Sequence, residues 1–423
     1  MALCFMACVV FGCPCAPDET KTAHLRHTAE WIDARLVSMF VVDDAYLWHD
    51  VLGGRAIHQN SSANPPTEPL EGNFHTQQQS FFALLKLHMY ELGGARDGKL
   101  LDDAEILLDW VVDNGFDDEL TYFYFRYNER KGNWLKHLYP EFNMFTVTTL
   151  LRYTAHRREP HYREIAERVF NTITRLAWDD GCGGFMHGFK PDPETGKLTS
   201  DGSKTLYGNG YLALLLLDVY DATGNEQYKS WARRAADFAN KRLWDDEYHG
   251  WFLQVNRHCD PPEHHTKFTH INADMVQANY LLYLLGCGDG YLDYAEKGLG
   301  FLVDHSRMSN NLWAKHNARD GSDYASEHDI SGSDTGGTHP AYDRQMQMIT
   351  ALCLGWRATG NQRYLDLIDD TLDAMERNHK IVYPAGVNYG YGSSEEGQNT
   401  WCHLWGLKGF MSIKRIQAGT PGW

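Results

Sequence analysis

The chain has 423 residues, 43% of them hydrophobic, and its 39 Lys and Arg against 56 Asp and Glu leave a formal charge of −17. That balance argues against a nucleic-acid binder, which needs clustered Lys and Arg for phosphate contacts. It fits a protein kept soluble by surface acid. No apolar run approaches the roughly 18 residues a membrane helix requires.

Residues 1–19 open with an apolar run, Leu3-Cys4-Phe5-Met6-Ala7-Cys8-Val9-Val10-Phe11-Gly12-Cys13, of secretory length but without a basic start. Gly12-Cys13 is similar to a bacterial lipoprotein cleavage site. The expectation is an exported protein, periplasmic, lipid-anchored or secreted; if the segment is no signal, a cytoplasmic one. Residues 20–423 read as one domain, because no linker-like stretch interrupts the pattern that follows.

Apolar helical stretches fall at 75–90, 142–156, 205–221, 270–285, 340–357 and 399–414. They alternate with more charged stretches at 21–40, 100–114, 161–177, 226–243, 291–306 and 362–379. Each apolar stretch reaches the next charged one through a short turn. Each charged stretch reaches the next apolar one through roughly 20–35 residues, well beyond an ordinary helix–helix connection. Helices joined by short turns run antiparallel, so all the long loops lie on one face. Six such pairs predict an all-α (α/α)6 barrel with short β-hairpins over that face.

The repeat is visible residue by residue. Thr223-Gly224-Asn225-Glu226-Gln227-Tyr228 returns as Thr359-Gly360-Asn361-Gln362-Arg363-Tyr364. Gly ends one helix and Asn caps the next. Trp178-Asp179-Asp180-Gly181-Cys182-Gly183-Gly184-Phe185 and Trp244-Asp245-Asp246-Glu247-Tyr248-His249-Gly250-Trp251 read as tight hairpins folded over the rim. The inner helices are apolar nearly all round, as in Leu212-Ala213-Leu214-Leu215-Leu216-Leu217. The outer ones are amphipathic, with Ile165, Val169, Ile173 and Leu176 on one face.

The first turns of the inner helices are polar where their bodies are apolar. They carry His75, Gln77 and Gln78; Glu141 and Asn143; Lys204, Tyr207 and Asn209; His270, Asn272 and Asp274; His339, Asp343, Arg344 and Gln345; Gln398, Asn399 and His403. Capping accounts for part of this set. Charge among buried neighbours needs a further reason, which singles out Asp274, Asp343, Arg344 and His403. His270 with Asp274, and His339 with Asp343, stand four residues apart on one helix face. A carboxylate there would orient an imidazole for acid–base work. His270, Asp274, His339, Asp343 and His403 are therefore the candidate catalytic residues. Arg126 and Arg344 suit a carboxylate or sugar hydroxyls. The 13% aromatic content is concentrated in the long loops, where flat rings such as Trp134, Trp251, Tyr389 and Trp401 suit the C–H faces of sugars.

The loop from Asn317 to His339 holds Asp320, Asp323, Glu327, His328, Asp329 and Asp334, oxygens of the kind calcium takes. Its spacing is not that of an EF-hand, and His258, Glu263, His264 and His265 match no zinc pattern. No metal or cofactor is assigned. Cys182, Cys259, Cys287, Cys353 and Cys402 are scattered without a CxxC and predict no disulfide framework.

Asn143-Met144 opening an apolar helix, the Asp-Asp…Gly-Gly-Phe loops and Lys204-x-x-Tyr207 before the next inner helix resemble the N-acylglucosamine 2-epimerase superfamily of (α/α)6 barrels. That group includes mannose isomerases and cellobiose 2-epimerases, and the resemblance covers most of the chain after residue 70. It implies a mono- or oligosaccharide substrate. It adds Asn143, Lys204 and Tyr207 to Arg126, Trp134, Trp251, Arg344, Tyr389 and Trp401 as substrate contacts. The family's His-x-Ile-Glu motif is echoed by His270-Ile271-Asn272-Ala273-Asp274, and its last His corresponds to His403. Phe145 and Thr146 stand where the family places another His.

Three functions remain open on this fold. The first is a sugar 2-epimerase or aldose–ketose isomerase, working through His270 with His403 or His339. The second is a glycoside hydrolase using two carboxylates such as Asp274 and Asp343, or a lyase with His or Tyr389 as base and Arg344 or Asn143 neutralising a uronate. The third is a non-catalytic glycan-binding toroid. A homodimer is compatible with all three.

Overall fold

The computed structural model describes residues 22–49, 55–56, 73–92, 97–128, 133–200, 202–260, 266–321, 342–383, 386–389 and 400–419. The N-terminal apolar segment and nearly all of the 317–339 loop, with His339, lie outside them, as do Glu263, His264, His265, Gln398 and Asn399.

Helices alternate between two concentric rings. In chain order they are α1 (Ala29–Leu47, outer), α2 (Thr76–Leu92, inner), α3 (Gly98–Gly115, outer), α4 (Pro140–His156, inner) and α5 (Pro160–Ala177, outer). Next come α6 (Leu212–Thr223, inner), α7 (Glu226–Arg242, outer), α8 (Thr269–Leu284, inner) and α9 (Asp289–Phe301, outer). The last three are α10 (Tyr342–Thr359, inner), α11 (Gln362–Asn378, outer) and α12 (Thr400–Gln417, inner). Each inner helix packs on the next, and α12 returns to α2, so the inner ring closes. Helix α1 packs on α12, which makes the first and last helices one hairpin of the toroid. Among the described residues no helix is long and apolar enough to cross a membrane.

The two rings differ in burial as their sequences predict. Every residue of α8 from Thr269 to Leu282 is buried. In α5 burial is confined to one stripe that includes Tyr162, Ile165, Val169 and Ile173. Asn225 accepts from the Gln227 amide at 3.0 Å and Asn361 from the Arg363 amide at 3.1 Å, the expected caps. Helix α1 departs from expectation by starting at Ala29 rather than near residue 21. The Arg26 and His27 amides donate instead to Asp369 of α11, at 2.7 and 3.1 Å, which holds this stretch extended across the seam.

One device recurs in four repeats and fixes the rim. The fourth residue of α4, Asn143, accepts from the Phe123 amide at 2.7 Å and donates to the Phe123 carbonyl at 3.1 Å. Asn209 treats Phe185 the same way (2.7 and 3.0 Å), Asn272 treats Trp251 (2.7 and 3.0 Å), and Gln345 treats Trp313 (2.8 and 3.0 Å). Each amide thus satisfies both backbone groups of a buried rim aromatic, which would otherwise be orphaned. The hairpin clasped at Phe185 turns on glycine: Gly184, at φ +83°, has Phe238 ring carbons 2.7 Å from where a Cβ would sit. Asn272→Ala leaves two buried backbone groups unpaired and is expected to cost about 2–3 kcal/mol in a urea unfolding series; a loss under about 0.5 kcal/mol would contradict the clasp.

A second device recurs twice. Lys204 and Lys267, each fully buried just before an inner helix, pair with rim aspartates: Lys204 with Asp179 at 2.8 Å, Lys267 with Asp245 at 3.0 Å. Arg319 adds two hydrogen bonds to Asp245, at 2.9 and 3.0 Å. Burial works against the Asp245 charge, but the bonds from Arg319 and Lys267 outweigh it and hold its pKa down at about 2. Its folded pKa therefore lies below the unfolded value of about 3.9. The stability it contributes is present above pH ~4 and is lost as pH falls toward 2. Asp245→Asn is expected to flatten the acid limb of the stability–pH curve in that window, which Tm measured from pH 5 to 2 will test. An unchanged slope would contradict it.

Between these two repeats Cys182 and Cys259 form a disulfide. This corrects the expectation of scattered thiols: the partners lie 77 residues apart in sequence but on adjacent rim loops.

Candidate active site

The mouth of the toroid is built from the starts of the inner helices and the strands leading into them. The strand ending at His75 pairs with Arg126–Asn128, and that in turn with Asn133–Leu135. This sheet places His75, Phe125, Arg126 and Trp134 on one side of the rim. The Arg126 guanidinium lies 5.9 Å from the Phe125 ring, and half-buried Trp134 packs on Tyr127 at 5.3 Å.

Beyond α4 the chain enters α6 through a π-turn, Tyr207–Tyr211. Such turns carry one extra residue per bond and often mark functional sites. Here it pushes half-buried Tyr207 toward α8, where its hydroxyl is hydrogen-bonded with Nε2 of His270. His270 is 8% exposed. The spacing pointed to Asp274 as its orienting partner; instead Nε2 meets Tyr207. Asp274, one turn deeper and 2% exposed, accepts from Gln347 Nε2 with both oxygens, at 3.0 and 3.1 Å.

A second pair flanks the first. Glu141, in the first turn of α4, is 1% exposed, and its Oε1 stands 3.0 Å from Nδ1 of His187. His187 keeps 29% side-chain exposure. It reaches the mouth because it follows the clasped Phe185 by two residues and because its neighbour in the π-turn is Gly208. A Cβ on Gly208 would lie 3.7 Å from that of His187. The ring of Tyr139, 5.3 Å away, covers the imidazole.

Three acids act on Tyr211. Burial lifts the Tyr211 hydroxyl well above its ordinary pKa, and Asp274, Asp218 and Glu141 add to the shift. Burial likewise raises Tyr139, with Glu141 reinforcing and Arg126 opposing. Burial lowers His137, helped by Lys190 and Arg126. Below this ring a lumen cavity of about 370 Å³ is lined by residues including Phe145, Tyr211, Asp218, Trp405 and Lys408. The larger cavity, about 400 Å³, lies toward the other end between α6, α8, α10 and α12 and touches none of Tyr207, His270 or His187.

Of the expected site residues, the structure brings Tyr207, His270 and Asp274 to the mouth, with Arg126, Trp134 and half-buried Arg344 on elements around it. Three others are committed elsewhere. Asn143 clasps Phe123, Lys204 is buried on Asp179, and Trp251 is fully buried with its indole donating to Asn240 at 3.1 Å, so none presents a face to a sugar. The side chains of Asp343, Tyr389, Trp401 and His403 lie outside the described residues, although α10, the strand Gly386–Tyr389 and α12 carry them. His187 and Gln347 went unnoticed in the sequence. The repeat held the signal for His187: the residues two past the other clasped aromatics are Phe125, Leu253 and Lys315. Among the described residues no group of three or more His, Cys, Asp or Glu is placed to hold a metal ion.

Comparison with known proteins matches a family model, glycosyl hydrolase family 76, to residues 141–326. No curated protein matches the sequence. A D-mannose isomerase superposes with a TM-score of 0.76 at 10% identity, covering 92% of this chain and 98% of that one. Cellobiose 2-epimerase from Bacillus thermoamylovorans gives 0.74 at 12% identity over 92% and 99%. An α-1,6-mannanase from a Salegentibacter species gives 0.61 at 16% identity over 92% and 99%. The fold is the (α/α)6 barrel common to these proteins. With the family match, it marks the chain as a carbohydrate-active enzyme whose reaction class is open.

Proposed function

We propose that the chain is a sugar 2-epimerase or aldose–ketose isomerase acting on a mono- or oligosaccharide. The observation that carries this is the Tyr207–His270 hydrogen bond at the mouth. A phenol backed by an imidazole forms a unit that can take a proton from a weak carbon acid and return it, within the reach that general acid–base catalysis needs. The C2 proton of an aldose is such an acid, because the electron pair left behind passes into the C1 carbonyl. Phe125, Tyr139 and Trp134 offer rings along the approach, and Arg126 offers donors for hydroxyls.

A second reading, glycoside hydrolysis, is favoured by the family match and by two buried carboxylates in the first turns of inner helices, Glu141 and Asp274, both of which raise Tyr211. An inactive variant of the mannanase, with two adjacent aspartates changed to asparagine, is known in complex with α-1,6-mannotriose. In this chain the adjacent aspartate pairs of the described residues lie on outer helices (Asp43 and Asp44, Asp102 and Asp103, Asp369 and Asp370) or in rim turns (Asp117 and Asp118, Asp179 and Asp180, Asp245 and Asp246). None opens an inner helix. Incubation with aldoses and disaccharides in D₂O separates the readings: deuterium at C2 without bond cleavage supports the first, new reducing ends without C2 exchange the second.

A further inference from the structure

The rim disulfide takes no part in the chemistry at the mouth, yet a buried charge faces both of its sulfurs. Lys204, fully buried, brings Nζ to 3.2 Å from Cys182 Sγ and 3.6 Å from Cys259 Sγ. The same ammonium meets Asp179 at 2.8 Å and donates to the Arg257 carbonyl at 3.0 Å. Asp179 Oδ2 stands 3.4 Å from Cys182 Sγ. Both cysteines are half-buried, and Cys259 lies between exposed His258 and exposed Asp260. We infer that Cys182–Cys259 is an exchange site for a low-molecular-weight thiol, with Cys259 the sulfur attacked and Cys182 the sulfur that leaves.

The direction of exchange follows from the charges. A disulfide opens toward the sulfur that is the better leaving thiolate, and a neighbouring lysine stabilises a thiolate. Lys204 is nearer Cys182, and its burial leaves its field little screened. Asp179 opposes a thiolate at Cys182, but its charge is met by Lys204. The same carboxylate repels an anionic thiol that would attack Cys182 directly. Asp260, the acid next to Cys259, accepts instead from Asn256 Nδ2 at 2.7 Å.

The next repeat carries the same clamp without the bond. Lys267 meets Asp245 at 3.0 Å and the Arg319 carbonyl at 2.8 Å, as Lys204 meets Asp179 and the Arg257 carbonyl. Tyr248 stands there at the place of Cys182 and Gly321 at that of Cys259, and the Arg319 guanidinium adds its tie to Asp245. This part of the rim therefore closes without a covalent link, and opening the disulfide leaves the lysine clamp standing.

The exchange balances with two equivalents of thiol. The first, as thiolate, attacks Cys259 Sγ; a new S–S bond forms and the Cys182–Cys259 bond breaks, its electron pair passing to Cys182. Cys182 remains as a thiolate beside Lys204. A second thiolate attacks the small-molecule sulfur of the mixed disulfide and leaves with it as the oxidised dimer. Cys259 departs as a thiolate and takes a proton from water. Two thiols are oxidised and one protein disulfide is reduced.

The test equilibrates the full-length protein with reduced and oxidised glutathione, alkylates free thiols with iodoacetamide and maps both cysteines by mass spectrometry. The expected first adduct is glutathione on Cys259 with Cys182 alkylated, and the far-UV circular dichroism of the reduced protein stays native. Lys204→Met is expected to make reduction at least tenfold less favourable, about 30 mV for this two-electron couple. Asp179→Asn is expected to shift it at least threefold the other way. Loosened loops alone would ease reduction in both variants, so the opposite signs identify the charge effect. Should Lys204→Met not fold, the adduct map of the wild type decides. Glutathione carried first by Cys182, loss of the native spectrum on reduction, or a Lys204→Met protein reduced as readily as wild type overturns the proposal.

Discussion

His270→Gln is expected to lower the rate of C2 proton exchange by about 10²–10⁴-fold, the usual worth of a positioned acid–base group. Glutamine keeps a polar group near the Tyr207 hydroxyl but cannot hold a transferable proton there. His270 is buried in the first turn of α8, and glutamine fills nearly the same volume, so the change removes little packing. Tm should therefore fall by only a few degrees. Tyr207→Phe removes the outer member of the same pair and should give a loss of the same order. Because the two act as one unit, the double variant should be hardly slower than either single one. Activity within threefold of wild type in His270→Gln would remove the pair from the chemistry.

Glu91→Ala is expected to cost about 3–5 kcal/mol of stability and to leave the chemistry at the mouth intact. Glu91 sits in the last turn of α2, at the end of the barrel opposite the mouth. It accepts from Arg152 at 3.0 and 3.1 Å and meets His156 at 2.9 Å and His88 at 3.3 Å. Burial opposes its charge, but His88 and Arg152 together hold its pKa far below the usual carboxylate range. Burial, with Arg152 beside it, pushes His88 down to about 4. Arg152 is itself 8% exposed. Without Glu91 it is a buried guanidinium with weaker compensation, its next acid being Asp221 at 4.0 Å. Chemical unfolding measures the loss. The double variant Glu91→Ala with Arg152→Met should recover part of it, since the uncompensated charge is then gone. A single-variant loss below about 1 kcal/mol would show that the pair is not structural.

The toroid was legible because a closed ring of hairpins must repeat. The same Gly-Asn punctuation appears at Gly224-Asn225 and Gly360-Asn361, and the inner helices begin within about two residues of those expected, except α6, which the π-turn precedes. The site was less legible, for a physical reason. A polar residue in the first turn of a buried helix can face a ligand or clasp a loop, and spacing does not tell which. Asn143, Asn209, Asn272 and Gln345 all clasp, and Lys204 and Lys267 both pair with a rim aspartate. What recurs from repeat to repeat is scaffold. Tyr207, His270, Glu141 and His187 do not recur, and they are what the mouth brings together. The i, i+4 spacing predicts Asp274 as the partner of His270, but the π-turn, which no periodicity predicts, delivers Tyr207 to its Nε2. The Cys182–Cys259 bond escaped notice because its loops are neighbours only once the repeats stack.

The central claim is that this mouth moves a proton beside a sugar carbonyl. The most direct measurement is a proton NMR time course of the wild-type protein in D₂O with a panel of free aldoses, a reducing disaccharide and α-linked manno-oligosaccharides. The account predicts loss of the C2 proton signal from a reducing sugar and growth of its epimer or ketose, with every glycosidic bond intact. Release of new reducing ends with the C2 proton undisturbed would contradict it and assign the chain to hydrolysis.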